Sequence, residues 1–329
     1  MPELIEALPG IRLPVEEVTD RLNRMWEVDD SGHASSAFRA SQMNVVLHLG
    51  SEVSPAHARA CFDGLIRFGQ RYPSRMIILC PTHNGSGSMK AKLFSQCYIG
   101  SSHREMCCCE ALLLSYEPDD AGYLSNQVST WLESDLPVYH WFSGVPRHRI
   151  TGYFKNLLIG VRRFVYDSSI EPDDLSELEW PEPQRVCDLA KARILPVRQS
   201  IGQYLAGHSM EVLCRGLKTI TVRYAPGFVG EAKALTAWIE SCLGIYLENK
   251  STVCHACPFE QSANKDSVSA GLSLSMQWDY INDDFLHWQM FEDGSSGKIK
   301  TRLSGREESV SAQIKLLSPE HALAEALFF

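Results

Sequence analysis

The chain has 329 residues, 44% of them hydrophobic and 22% charged, a balance that predicts ordinary buried cores and roughly two domains. Forty acidic residues against 31 basic ones give a formal net charge of -9. With no basic run longer than the Arg147-His148-Arg149 cluster, that charge argues against a nucleic-acid groove. No stretch of ~18 apolar residues is present, so no membrane span is expected. The acidic, proline-broken start Met1-Pro2-Glu3-Leu4-Ile5-Glu6 lacks the basic and apolar regions of a secretory signal. The expectation is a cytoplasmic protein whose eleven cysteines are reduced thiols rather than a disulfide framework.

In chain order, residues 1–43 read as an N-terminal extension with a short helix over Val15–Trp26. Asn44–Leu49 is a short apolar strand. Ser54-Pro55 is a helix start, with the serine as cap and the proline in the first turn, and Ala58, Cys61, Phe62, Leu65, Ile66 and Phe68 follow at helical spacing. Tyr72-Pro73-Ser74 stops that helix. Arg75–Cys80 is a continuous apolar run of the kind buried on both faces of a sheet. Leu93–Ile99 and Met106–Tyr116 read as a strand pair with no room for a helix between them, hence a hairpin in a mixed sheet. Tyr123–Glu133 is a predicted helix, Pro137–Phe142 a strand, Arg149–Ile159 a helix and Arg163–Tyr166 a strand.

The acidic, proline-bearing segment Glu171–Pro183 marks a boundary. Beyond it, Val186–Leu205 reads as one or two helices interrupted at Pro196. Leu217–Tyr224 alternates as a strand, and Gly230–Leu243 reads as a helix ended by Gly244. Ser267–Trp278 alternates, and Phe285–Phe291 and Lys298–Leu303 flank a Gly-Ser turn as a hairpin. A last helix covers Pro319–Leu327. The fold class is therefore α/β: an N-terminal mixed-sheet α/β domain over 44–175, followed by a helical connector and a smaller α+β domain over 176–329.

Local chemistry is sparse. His83–Lys90 is Gly-rich and follows a strand, but it lacks the third glycine of a dinucleotide fingerprint and the Gly-Lys-Ser/Thr of a phosphate loop, so Gly85 and Gly87 read as a turn. Cys254-His255-Ala256-Cys257 has spacing that suits ordinary thiols, a redox-sensitive pair or half of a zinc site. Cys254 and Cys257 are accordingly the redox candidates. Cys107-Cys108-Cys109 lies in an apolar strand, where adjacent side chains face opposite ways and cannot share one metal. No Gly-x-Ser-x-Gly elbow or His-Glu-x-x-His helix occurs. The residues thus offer no catalytic constellation, no metal set and no cofactor fingerprint.

Four longer motifs carry a resemblance. They are Arg71-Tyr72-Pro73-Ser74-Arg75-Met76-Ile77-Ile78-Leu79, Glu133-Ser134-Asp135-Leu136-Pro137-Val138-Tyr139-His140-Trp141-Phe142, Arg162-Arg163-Phe164-Val165-Tyr166-Asp167-Ser168 and Asp188-Leu189-Ala190-Lys191-Ala192-Arg193-Ile194-Leu195-Pro196-Val197-Arg198. In this order and spacing, over about 44–205, they resemble the OpcA family. The family usually shows Trp-Trp where Trp141-Phe142 stands, and Trp at the positions of Lys191 and Val197. The resemblance implies a non-catalytic assembly factor and allosteric activator of glucose-6-phosphate dehydrogenase, in the oxidative pentose phosphate pathway. NADP would then belong to the partner, and the redox reading of Cys254 and Cys257 would add a thioredoxin-type reductant as a further partner. Candidate partner-binding residues are Arg75, Asp135, Trp141, Asp167, Ser168, Arg193 and Arg198. Each also has a structural reading, as a strand-end ion pair, a turn, a core residue or a cap. The competing functions are an enzyme holding a small sugar phosphate at the strand ends near Asp167 and Ser168, and a thiol sensor built on Cys254 and Cys257.

Overall fold

The computed structural model describes residues 3–24, 41–82, 89–99, 106–118, 121–249, 259–263, 272–291 and 296–329. The chain forms two compact units, one comprising Met1–Asp188 with Leu323–Phe329 and the other Leu189–Ala322.

In the first unit, helix α1 (Leu4–Ala7), strand β1 (Ile11–Leu13) and helix α2 (Val18–Arg24) precede the central strands. Then come β2 (Met43–Leu49), α3 (Pro55–Arg71), β3 (Ser74–Pro81), β4 (Lys90–Ile99), β5 (Met106–Tyr116), α4 (Ala121–Trp131), β6 (Val138–Ser143), α5 (Arg147–Tyr153), β7 (Arg163–Tyr166) and β8 (Val186–Asp188). The eight strands lie in the order β1-β4-β5-β3-β2-β6-β7-β8. All neighbouring pairs from β5 to β8 are parallel, while β1–β4 and β4–β5 are antiparallel. This is the mixed α/β sheet the alternation implies, with the hairpin at Leu93–Ile99 and Met106–Tyr116 in its expected place. Every residue of β2 and β3 is buried, because helices cover a parallel sheet on both faces. Ser54 caps α3 by accepting from the His57 backbone N–H at 3.1 Å, and Pro55 occupies the first turn.

The second unit contains α6 (Leu189–Arg193), α7 (Leu195–Leu205), α8 (Met210–Cys214), β9 (Leu217–Tyr224), α9 (Val229–Asn249), β10 (Phe259–Ala263), β11 (Leu272–Tyr280), β12 (Phe285–Phe291), β13 (Gly297–Leu303) and β14 (Arg306–Ala312). Helix α10 (Pro319–Phe328) follows, and its last residues return to the first unit. The sheet order is β10-β9-β11-β12-β13-β14, antiparallel except for β9–β10. Leu274, Met276, Trp278, Leu286, Trp288, Met290 and Ile299 on one face pack with Ile194, Val197, Ile201, Leu235 and Ile239 from the helices. This is the α+β architecture expected for the second half.

Several local expectations need correction. Val186–Asp188 is a short strand, and Pro196 lies in the first turn of α7, where its missing N–H leaves no hydrogen bond broken. The helix expected over Arg149–Ile159 is α5, which runs Arg147–Tyr153 and gives way to turns. Gly244 does not end α9, which continues to Asn249. Glycine weakens a helix without terminating it unless the chain needs a left-handed residue there. Cys97, on the exposed part of β4, is disulfide-bonded, so the expectation of reduced thiols throughout fails. The β4–β5 register sets Cys97 directly across from Cys108. Gly85 and Gly87 lie outside the described residues. Among the described residues no helix is long and apolar enough to cross a membrane.

Candidate functional site

The first sheet reverses direction at β2. From there the chain leaves one way through α3 to β3, and later returns on the other side as β6. Such a switch point is where open α/β sheets open a crevice at the carboxyl ends of their strands. Here the segments that leave β2 and β6 run close together. Gly50, after β2, and Gly144, after β6, pass so closely that a Cβ on Gly50 would sit 1.7 Å from the Gly144 carbonyl oxygen. Gly144 has φ +69°, and a Cβ there would strike the Val53 side chain at 2.5 Å.

Around this approach gather His57 and Cys61 from α3, Ser143 from β6, and Asp167 and Glu171 beyond β7. His57 Nε2 lies 2.9 Å from Ser143 Oγ and 3.2 Å from Cys61 Sγ, and Cys61 Sγ is 3.4 Å from Ser143 Oγ. Burial lowers the His57 pKa, while Asp167 pulls it upward. Burial pushes the Cys61 thiol up to about 11, so at neutral pH it holds almost no thiolate. Ser143 is fully buried. A histidine, a serine and a cysteine therefore meet without forming an accessible nucleophile. Burial also raises the Glu171 carboxyl to about 8, against hydrogen bonds from the backbone N–H groups of Gly144, Asp167 and Val145. Glu171 Oε2 is buried with no hydrogen-bond partner among the described residues. A side-chain carboxyl thus takes the backbone donors that a bound anion would use at this edge.

One layer deeper, His48 Nε2 and His140 Nδ1 meet at 2.7 Å on neighbouring strands β2 and β6. Both are fully enclosed, and burial holds His140 down to about 3 and His48 well below the ordinary range. The pair is therefore neutral, one ring donating to the other. The His48 ring lies 4.7 Å from that of Phe142 and 5.5 Å from that of Tyr153, whose hydroxyl meets the Tyr116 hydroxyl at 3.1 Å.

Within the first unit, the residues singled out from sequence do not converge. Arg75 stands at the amino end of β3, where Nε donates to Glu110 Oε1 at 2.6 Å and Nη1 donates to the Trp131 carbonyl at 3.2 Å. Nη2 lies 2.6 Å from Glu133 Oε1, outside hydrogen-bonding geometry. Asp135 is exposed in the turn before β6, at the same amino edge. Trp141 is buried within β6, its indole N–H without a hydrogen-bond partner. Asp167 and Ser168 lie at the opposite, carboxyl edge. Asp167 accepts from the Ser169 N–H at 3.1 Å, and Ser168 donates its hydroxyl to Asp188 at 2.6 Å and its N–H to the same carboxylate at 3.0 Å. In the second unit, Arg193 at the end of α6 pairs with Glu231 of α9 at 2.6 Å, and Arg198 lies half-buried on α7. Cys254 and Cys257 lie outside the described residues. The cluster of His57, Cys61, Ser143 and Glu171 escaped sequence reading, because its members are up to 114 positions apart. The only local hint is a glycine following each of two apolar strands.

Residues 67–180, which run from the end of α3 past β7, match the family model described as "Glucose-6-phosphate dehydrogenase subunit N-terminal domain". An OxPP cycle protein OpcA of Synechocystis sp. is 26% identical over 177 residues, covering 52% of this chain and 37% of that protein. Its counterpart in Synechococcus elongatus is 29% identical over 106 residues, covering 32% of this chain and 24% of that protein. The chain therefore matches only about a quarter to a third of the length of these curated relatives. Among solved structures, glucose-6-phosphate 1-dehydrogenase from Mycobacterium avium aligns at TM-score 0.46 and 11% identity, covering 88% of this chain and 87% of that one. KijD10, a 3-ketoreductase from Actinomadura kijaniata, aligns at 0.43 and 9%, covering 86% and 88%. These scores carry no inference about function. The matched segment and the two sequence relatives agree with the four motifs, and over residues 67–180 the chain is similar to the OpcA family.

Proposed function

We propose that this chain is a non-catalytic partner of glucose-6-phosphate dehydrogenase that assembles with the enzyme and favours its substrate-competent state. The observation that carries the reading is the family match over 67–180, whose description names that enzyme. At the edge where an α/β enzyme would hold its ligand, Glu171 accepts from backbone donors instead, which supports the reading. A binder activates an enzyme only by preferring its active conformation. Linkage then requires that substrate tighten the complex by the same factor as the complex tightens substrate. Among the candidate contacts, Asp135, Ser168, Arg193 and Arg198 have the exposure to meet a partner, and Arg75, Trp141 and Asp167 shape the strand ends beneath.

The test follows NADPH formation by the dehydrogenase of the same cell across glucose-6-phosphate concentrations, with and without the full chain. The expected result is a tighter apparent affinity or higher rate, with a coupling of ~1–3 kcal/mol, ~5–150-fold. Unchanged kinetics at saturating chain, with no co-elution, would reject the assignment.

A further inference from the structure

The second sheet has an outer face opposite the helix-packed one, and register defines its rows. In one row Thr221, Gln277, His287, Lys300 and Ser309 lie side by side across β9, β11, β12, β13 and β14. The adjacent rows are Arg223, Ser275, Gln289, Lys298 and Ser311, and Thr219, Asp279, Phe285, Arg302 and Glu307. Positions between them point into the core, so this face carries no large apolar cluster among the described residues.

Its charge is opposite in sign to that of the molecule. Against a chain total of -9, register places Arg223, Lys298, Lys300 and Arg302 on this face against Glu260, Asp279 and Glu307. Asp279 and Glu307 are already engaged. Asp279 accepts from Gln277 Nε2 at 2.8 Å and Thr219 Oγ1 at 3.4 Å, and Glu307 pairs with Arg302 at 3.5 Å. Arg223 donates to the neutral Gln277 at 3.1 Å. Lys298 and Lys300 have no ion-pair partner among the described residues, and Lys300 and Arg223 are exposed. The half-buried His287 lies between them, and its pKa is lowered first by burial and then by Arg223 and Lys300, against an upward pull from Asp279.

We propose that this outer face, centred on Arg223, Lys298 and Lys300, is a docking surface for an acidic patch of the partner protein. The inference rests on the dehydrogenase reading above and adds to it the face that is used and the sign of the charge it meets. Charge complementarity chooses the occupant. A second copy packed about a two-fold axis would bring the same cationic surface against itself, with Asp279 and Glu307 already committed. An acidic partner surface instead satisfies the free lysines, steers encounter and fixes register.

The experiment measures binding of the full chain to the dehydrogenase of its own cell by titration at about 50 and about 300 mM salt, the range over which exposed charges become screened. Wild type is compared with an R223E/K298E/K300E variant and with a neutral R223Q/K298Q/K300Q variant, each checked for an unchanged urea midpoint and for oligomeric state by light scattering. The proposal expects wild-type affinity to fall with salt. It also expects the reversed variant to bind at least roughly tenfold more weakly at low salt, the neutral one less so, as juxtaposed like charges oppose docking. If the reversed variant does not fold, the neutral one carries the same test. Equal binding by wild type and variants overturns this face while leaving the dehydrogenase reading intact. Absence of binding by wild type overturns that reading and this inference with it. A wild-type dimer that becomes monomeric in the variants assigns the face to self-association and also overturns it.

Discussion

Every residue of β2 and β3 is buried, whereas along β12 and β13 burial alternates residue by residue. The first pattern belongs to parallel strands sandwiched by helices, the second to an antiparallel sheet packed on one side only. Sequence variation should therefore act differently in the two units. In the first sheet several buried polar residues have a specific partner inside, as for Arg75 with Glu110 and His48 with His140. In the second, the alternate positions of β12 and β13 face outward and are at least partly exposed.

The sharpest way to break this contrast is at Arg75, whose side chain is 6% exposed beside a Glu110 that is 3% exposed. An Arg75→Met substitution leaves the Glu110 carboxylate buried without its cation, and by the behaviour of broken buried pairs it should cost ~3–5 kcal/mol. Urea denaturation measures this, and a loss below ~1 kcal/mol would mean the amino edge is wetter than described. Arg75→Met/Glu110→Met should recover much of the loss, since removing both charges removes the desolvation penalty.

A smaller effect is expected from pH. His140 is held down to about 3 by burial, so between the ordinary value of ~6.5 and about 3 the unfolded chain binds a proton that the folded one does not. Its contribution to stability is present above ~6.5 and is lost as pH falls through that window, on the order of 2 kcal/mol by pH 5. Glu171 runs the other way. With its folded pKa pushed up to about 8 from an ordinary 4.5, its contribution is present below 4.5 and is lost as pH rises toward about 8. Urea midpoints from pH 5 to 8 should accordingly show a shallower acid slope in His140→Gln and a shallower alkaline slope in Glu171→Gln than in wild type. Parallel curves would contradict the neutral burial of either group.

The least effect belongs to the second sheet. Lys300→Ala, on its exposed outer face, should change stability by no more than ~0.5 kcal/mol in the same denaturation series. A larger loss would mean that this face is packed rather than open.

Much of the fold was legible because its signals are local. The apolar run Arg75–Cys80, the Ser54-Pro55 cap and the alternation of Leu217–Tyr224 each lie within one element, and each corresponds to β3, α3 and β9. Gly244 misled because glycine as a breaker depends on whether the next residue must turn, which the surrounding packing decides. The candidate site was much less legible. Nothing near Arg75 names Glu110, 35 positions on, as its partner, and nothing near Ser143 points back 86 positions to His57. Those pairings are products of strand order. The motif resemblance can propose Asp135 and Asp167 as site residues, yet only topology reveals that parallel strands carry them to opposite edges of one sheet.

The return of the chain's last residues to the first unit bears on how the protein is made. Phe328 lies 6.1 Å from the ring of Phe68 and 4.8 Å from that of Tyr72, and Ala326 offers its carbonyl to Arg163 at 3.2 Å. The first sheet is thus sealed by residues translated after the whole of Leu189–Ala322. On a ribosome adding ~5–20 residues per second, it waits on the order of ten seconds with those aromatic rings uncovered. A cell making this protein therefore has a nascent apolar patch to shield throughout synthesis of the second unit, and fragments cut after Asp188 would carry the same exposed patch permanently.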